Sequence, residues 1–140
     1  MNIVDRLMQI DDDKVNQKHV EKFESHRLAR LLGESEPVVV ELKELPYRRV
    51  SDIITMAVNK KGGYDQKKRV DSEILLVMEA VDNIDLKNHD LQAKFRAQTP
   101  KELCEKLFQG EIPKMVGIIT EMAGYNDEDE EEVVEEIKNS

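Results

Sequence analysis

Several residue types that build catalytic, metal or membrane-spanning sites are scarce in this sequence. It has one cysteine, no tryptophan and six other aromatic residues, and no run of about 18 apolar residues that could cross a bilayer. The single cysteine, Cys104, excludes an internal disulfide and a zinc site built on paired cysteines. The first residues lack the basic start and apolar stretch of a secretion signal, so we expect a cytoplasmic protein that does not associate with membranes.

Charged, helix-forming residues dominate what is present. Charged side chains make up 36% of the 140 residues, a length that corresponds to one compact domain. This composition disfavours an all-β sandwich or barrel. We expect an α+β fold that is mostly α, in which a small β-hairpin is followed by a compact bundle of four or five short helices.

The negative charge is concentrated at one end of the chain. The net charge is −9, and residues 126–140 contain eight acidic residues and one lysine, a balance of −7, which leaves only −2 for residues 1–125. Four consecutive charged residues, Asp11 to Lys14, predict a solvated link near the other end. We therefore predict three segments: an N-terminal short helix and charged linker (1–19), a main domain (20–125) and an acidic C-terminal tail (126–140).

Two stretches predict the strands of the hairpin. Val20 to Leu28 alternates loosely between apolar and charged residues, and Pro37 to Leu42 is rich in β-branched residues. Between them, Arg27 to Gly33 predicts a helical turn that the glycine closes.

Apolar residues at helical spacing predict five further helices. One extends from an Asn2 cap to about Ile10, one from Pro46 to Gly62-Gly63, one from about Gln66 to Val81, one from Thr99, and one from Ile112 to Gly124. The start at Thr99 is strong, because Thr99 can cap the helix, Pro100 suits the first helical position and Glu102 lies where a capping-box carboxylate returns to the cap.

Catalytic and ligand-binding patterns are weak in this sequence. None of His19, His26 and His89 lies beside Cys104 or in an H-E-x-x-H arrangement, so we expect exposed histidines and a cysteine that packs in the core. The acidic runs lack the ligand spacing of a calcium loop, and Gly62-Gly63 lacks the following residues of a phosphate-binding loop. We predict no catalytic residue, no cofactor and no metal, and therefore no enzyme.

Basic residues on both sides of Gly62-Gly63 are the best candidates for contacts with nucleic acid. Lys60-Lys61 and Lys67-Lys68-Arg69 are clustered there, but only Tyr64 could stack on a base. A solvated loop between two helices accounts better for the cluster, so we predict no nucleic-acid partner.

An ordered set of short segments resembles the XkdN-like phage tail assembly chaperones. The segments run from about residue 20 to residue 125: Pro37 to Leu45 before the Tyr47 helix, Val81 to Leu91, Thr99 to Leu103, Gly110 to Ile112, and Gly124-Tyr125. The sequence departs from the family pattern at Phe108-Gln109, at residues 1–19 and at the acidic end.

The resemblance implies a non-enzymatic, non-structural assembly factor of a contractile-tailed phage, a prophage or a related tail-like particle. Such a protein acts in the bacterial host cytoplasm and is absent from the finished tail. Its implied partner is the tape measure protein, which it keeps soluble until the polymerising tail tube displaces it. The tail tube protein, further copies of the chain and a longer form of the chain made by ribosomal frameshifting are additional candidate partners.

Two short apolar sets in the terminal segments are the candidate partner-binding residues. They are Ile3, Val4, Leu7 and Met8 at the start, and Val133, Val134 and Ile137 in the acidic tail. Alternatively, the first set packs on its own domain and the second belongs to a solvated tail. A different function also remains open: an acidic phage-encoded regulator whose tail imitates nucleic acid and blocks a nucleic-acid-binding protein.

Overall fold

The structure, a computed structural model, describes residues 2–125. In chain order its elements are α1 (Ile3–Leu7), a 3-10 helix (Asp12–Asn16), β1 (Val20–Ser25), α2 (His26–Leu32), β2 (Val38–Lys43), α3 (Tyr47–Thr55), α4 (Gln66–Ala80), α5 (His89–Lys94), α6 (Pro100–Phe108), a second 3-10 helix (Gln109–Glu111) and α7 (Ile112–Met122). The predicted α+β, mostly α fold with a small antiparallel pair of strands is confirmed.

The two strands pair antiparallel and are joined by a helix rather than by a tight turn. Val20 lies opposite Lys43, and Ser25 lies opposite Val38. The first strand ends at Ser25 because its hydroxyl accepts a hydrogen bond from the Leu28 N–H at 3.1 Å and so caps α2. The predicted helical turn is therefore a full helix, closed as expected by Gly33 in the left-handed conformation (φ 71°).

The segment after α4 lies along the free edge of β2. The Asp82 N–H donates to the Glu41 carbonyl at 2.8 Å, and Leu42 and Val81 form an isolated antiparallel bridge. The Asn83 side chain accepts from the Glu41 N–H and donates to the Val39 carbonyl, both at 2.9 Å. Backbone groups that would otherwise form an unpaired sheet edge are thus satisfied.

The core lies around α4, which contacts α3, α6, α7 and β2. Alternate residues of the strands enter this core, and the apolar faces of the helices complete it. Fully buried members are Val40, Leu42, Val50, Ile53, Val77, Leu103, Cys104, Phe108, Met115 and Ile119. The predicted core position of Cys104 is confirmed, and burial raises the pKa of its thiol to about 12.

The helix beginning at Pro100 starts as predicted, with one difference at its cap. The Thr99 hydroxyl accepts from the Glu102 N–H at 3.1 Å. The Glu102 carboxylate, however, accepts from the Gln98 N–H at 2.7 Å, one residue before the cap, rather than from Thr99 itself. The side chain therefore satisfies a different backbone donor from that of a capping box.

The prediction that Gly62-Gly63 ends the helix after Pro46 was wrong, because α3 ends at Thr55. The chain then forms a tight loop in which Val58 bridges Tyr64 and the Asp65 N–H donates to the Ala57 carbonyl at 2.9 Å. The Asn59 side chain accepts from the N–H groups of residues 61 and 63, both at 3.0 Å. These local bonds replace the last helical turns.

One helix, α5, was not predicted at all. It is only six residues long, and its apolar Leu91 is half-buried, so it shows little periodicity. Asn88 is its sequence signal, since its side chain accepts from the Leu91 N–H at 3.0 Å. Its position depends on Gln92, which is buried and donates to the Leu86 carbonyl at 2.8 Å.

Candidate partner-binding surface

The N-terminal helix exposes its whole apolar set. Ile3, Val4, Leu7 and Met8 are 61%, 62%, 57% and 81% exposed, and α1 contains no buried residue. Ile3 and Leu7 are one turn apart, as are Val4 and Met8, so all four lie on one side of the helix. The structure thus brings these four predicted residues together and leaves them uncovered.

Local hydrogen bonds hold α1, which is shorter than the predicted helix to Ile10. The Asn2 side chain accepts from the Asp5 N–H at 2.9 Å, as the predicted cap requires. The last helical residue is Leu7. Isolated helices shorter than about 12 residues are marginal in water, so contact with a second apolar surface would add stability that α1 lacks alone.

The charged linker is exposed, as predicted, and part of it forms the first 3-10 helix. The end of this segment lies beside the start of α3 and the end of α7, where Val15, Lys18, Tyr47 and Met122 line a pocket of about 340 Å³. The Tyr47 ring also stacks on the Tyr125 ring, with centroids 5.7 Å apart. The exposed helix α1 is therefore joined to the body near the point where the described chain ends.

A second concave surface, which the sequence did not reveal, runs between α4 and α7. Two pockets of about 300 Å³ and about 200 Å³ share Arg69, Glu73 and Pro113 as walls and so form one furrow, which we call the α4–α7 furrow. Its further lining residues are Ile54, Ala57, Tyr64, Ser72, Leu76, Val116 and Gly117 at one end, and Val70, Ile74, Glu105, Gln109, Gly110 and Ile112 at the other. Val70 is 41% exposed there.

An ion pair lies along the α4 wall of this furrow. The Arg69 guanidinium donates to the Glu73 carboxylate at 3.0 Å, one helical turn away on α4. Burial raises the pKa of the Glu73 carboxyl, and the charge of Arg69 partly opposes that shift. The furrow is therefore apolar at its floor and charged at its wall.

The basic residues around Gly62-Gly63 lie in the loop before α4 and in the first turn of that helix. Lys60, Lys61, Lys67 and Lys68 are all exposed, as the prediction of a solvated loop requires. The loop that carries the first two also provides Tyr64, which lines the furrow. No aromatic residue other than Tyr64 lies in residues 56–70.

The three histidines are exposed, as predicted. His19 contacts the carboxylate of Glu21 at 2.6 Å. Among residues 2–125 no group of three or more His, Cys, Asp or Glu side chains is arranged to hold a metal ion. Within the same residues no helix is both long enough and apolar enough to cross a membrane.

Comparison with known proteins agrees with an assembly role. The family described as Phage XkdN-like tail assembly chaperone protein (TAC) matches residues 4–138, which is nearly the whole chain. The chain belongs to the phage XkdN-like tail assembly chaperone family. The general role of this chaperone is thus assistance in phage tail assembly, and its family consists of assembly factors rather than enzymes.

The fold has a counterpart among solved structures. The crystal structure of the protein yqbn aligns with a TM-score of 0.50 and 14% sequence identity, covering 76% of this chaperone and 87% of that chain. At this identity the likeness shows the fold alone. No curated protein matches the chaperone.

The family match includes most of both predicted binding sets. It begins at Val4 and ends at Lys138, so only Ile3 of the candidate residues precedes it. Val133, Val134 and Ile137 are inside the match but outside the residues that the structure describes. Their contribution to a partner-binding surface therefore stays a prediction.

Proposed function

We propose that this tail assembly chaperone binds the tape measure protein, keeps it soluble and is displaced when the tail tube polymerises. It acts in the bacterial host cytoplasm during assembly of a contractile tail or a tail-like particle and is absent from the finished tail. In this proposal residues 1–19 form a binding arm, residues 20–125 the body and residues 126–140 an acidic tail.

The exposed apolar side of α1 is the observation that supports this proposal most directly. A long helical protein that waits for its tube exposes apolar stripes, which would aggregate if nothing covered them. Four apolar side chains on one side of a helix suit docking against such a stripe, as amphipathic helices dock in grooves. Family membership supplies the tail-assembly setting.

The size of this apolar set suits reversible binding. Fully burying one aliphatic side chain contributes about 1.5–3 kcal/mol, and association costs at least about 4 kcal/mol of lost freedom before affinity appears. Four side chains therefore give a modest interaction for each copy. Many copies along one tape measure could protect it, while tube subunits with a larger interface could still replace them.

Co-expression with the tape measure protein of the same tail tests the proposal. We expect the intact chaperone to increase the soluble fraction of the tape measure and to co-purify with it at low salt. The double variant Leu7→Ser, Met8→Ser removes half of the exposed apolar set and should reduce both effects several-fold.

A matched control variant replaces exposed apolar residues on another helix, α2. Leu31 and Leu32 on α2 are 53% and 64% exposed, so Leu31→Ser, Leu32→Ser also replaces two exposed apolar residues without opening the core. We expect this variant to behave like the unaltered chaperone. If the tape measure is equally insoluble with and without the chaperone and the two do not co-purify, the proposal is wrong for this partner.

A further inference from the structure

Residues 126–140 follow Tyr125, three residues after the end of α7, and the first half of this helix lines the α4–α7 furrow. They contain Val133, Val134 and Ile137 among eight acidic residues. We propose that the α4–α7 furrow is a docking site for this C-terminal segment of the same chain, so that the chaperone covers its own furrow when it is alone. This inference does not depend on which partner the chaperone serves.

Charge complementarity favours this occupant. Residues 59–69, of which Tyr64 and Arg69 line the furrow, contain five basic residues and one acidic residue, a balance of +4, whereas residues 126–140 have a balance of −7. The furrow itself contributes Arg69 near the centre. Arg69 is paired with Glu73, which lines both ends, and Glu105 lines the end away from Tyr64, so the attraction on the acidic segment comes from the four lysines of residues 59–69.

The length of the chain permits the contact. Tyr125 is fixed, because its N–H donates to the Thr120 carbonyl at 2.9 Å and its ring stacks on Tyr47. Gly117 lies six residues before Ala123, which is about 9 Å along a helix. The eight residues from Tyr125 to Val133 can span up to roughly 26–29 Å, so they reach the furrow with slack.

The apolar residues of the segment match the floor of the furrow. Buried Ile54, Leu76 and Val116 line the end near Tyr64, and Gly117 is exposed in the middle of α7. A Cβ added at Gly117 would meet no atom within 4 Å, so packing within the described chain does not require a glycine there. A glycine in a helix interior costs about 0.5–1 kcal/mol relative to alanine, whereas a chain lying in the furrow would benefit from the open backbone.

A larger pocket near the chain end is the competing site. Lys18, Lys43, Arg49 and Lys87 line a cavity of about 730 Å³ beside Pro46. Two of these cations are already paired, since Arg49 binds Glu79 and Lys43 lies 4.0 Å from Asp82. With Asp85 also in the lining, the charges of this pocket sum to +1, so the experiment below is designed to distinguish it from the furrow.

A spin label on the full-length chain tests the contact. Asn139→Cys provides a site two residues beyond Ile137, and the native thiol of Cys104 is buried and should not react. We expect the label to broaden the amide signals of Gly117 and Tyr64 strongly and those of His89 and Asp90 on α5 little. Raising the salt from about 50 mM to about 500 mM should weaken the broadening.

Variants on each side of the contact make the test specific. Val133→Ser, Val134→Ser, Ile137→Ser in the labelled chain should abolish the broadening at Gly117. Gly117→Glu, which adds bulk and negative charge to the furrow, should do the same, whereas Gly117→Ala should retain most of it.

Three results would overturn the inference. The first is uniform weak broadening over the whole surface. The second is strong broadening centred on Lys43 and Lys87 in the larger pocket. The third is broadening at Gly117 that appears only when labelled and isotope-enriched copies are mixed, because that would make a second copy the occupant.

Discussion

Helices α1 and α7 have similar sequence patterns but differ in burial. Both place apolar residues at helical spacing, but the side chains of α1 are exposed whereas Met115, Val116 and Ile119 of α7 are buried against α4. Periodicity predicts that a helix has an apolar face, but it does not say what covers that face. In an assembly chaperone an uncovered face is a candidate contact for a partner.

The largest difference between the two regions should appear in thiol reactivity. In Met8→Cys, we expect the new thiol to react with a maleimide at the rate of a free peptide. In the same molecule Cys104 should react at least about 1,000-fold more slowly, because its thiol becomes accessible only on unfolding. At equilibrium fewer than about one molecule in 1,000 of a typical domain is unfolded. Mass spectrometry of a labelling time course follows both sites, and rapid double labelling would contradict the buried position of Cys104.

The same thiol predicts a pH dependence of stability. Burial raises its pKa from an ordinary 9.0 to about 12 in the folded chain, so between these values the folded state retains a proton that the unfolded state loses. The free energy of unfolding should therefore fall as the pH rises from about 9 toward 12. Urea unfolding of Cys104→Ala should show a shallower decline over this range, and equal slopes for the two proteins would refute the assignment.

Truncating a side chain to alanine should lower the free energy of unfolding much more in the core than on α1. Phe108 is fully buried, so Phe108→Ala should lower the free energy of unfolding by about 3–5 kcal/mol. Leu7→Ala should change it by less than about 0.5 kcal/mol, since α1 is not buried. Urea unfolding measures both, and a large loss on Leu7→Ala would show that α1 packs on the body in solution.

Substitution of Glu111, whose side chain joins α2 to the α6–α7 connection, should lower the free energy of unfolding by a smaller amount. Its carboxylate accepts from the hydroxyl of the buried Ser25 at 2.6 Å and from the N–H groups of His26 and Arg27 at 3.1 and 3.3 Å. Glu111→Ala should cost about 1–3 kcal/mol, because it leaves a buried hydroxyl without this acceptor. Glu121→Ala, at an exposed position on α7, is the matched control and should be nearly neutral in the same urea experiment.

The smallest changes in the free energy of unfolding should come from substituting the two helix N-cap residues, Thr99 and Asn2. Thr99→Ala should cost about 1 kcal/mol, because α6 is part of the cooperative core. Asn2→Ala removes the same kind of bond from α1 but should leave the global unfolding transition within about 0.3 kcal/mol, since α1 can fray by itself. Thr99→Ser should preserve stability, and equal losses at Asn2 and Thr99 would remove the distinction between the two regions.

Sequence reasoning identified features whose causes lie within a few residues. The caps at Asn2 and Thr99 and the left-handed stop at Gly33 depend on neighbouring backbone groups, and all three are confirmed. The short helix α5 was not predicted, because six residues show too little periodicity to detect, although Asn88 signals its start. The family resemblance came from the order of several such local segments, and it too is confirmed.

Only the tertiary structure decided features that join distant parts of the chain. It showed that the Glu111 carboxylate caps a helix 84 to 86 residues away, that Tyr47 stacks on Tyr125, and that α4 and α7 enclose a furrow. It also showed that the apolar side of α1 is uncovered. Amino-acid order determines local hydrogen bonding and periodicity directly, whereas burial depends on which faces meet once every element has been packed.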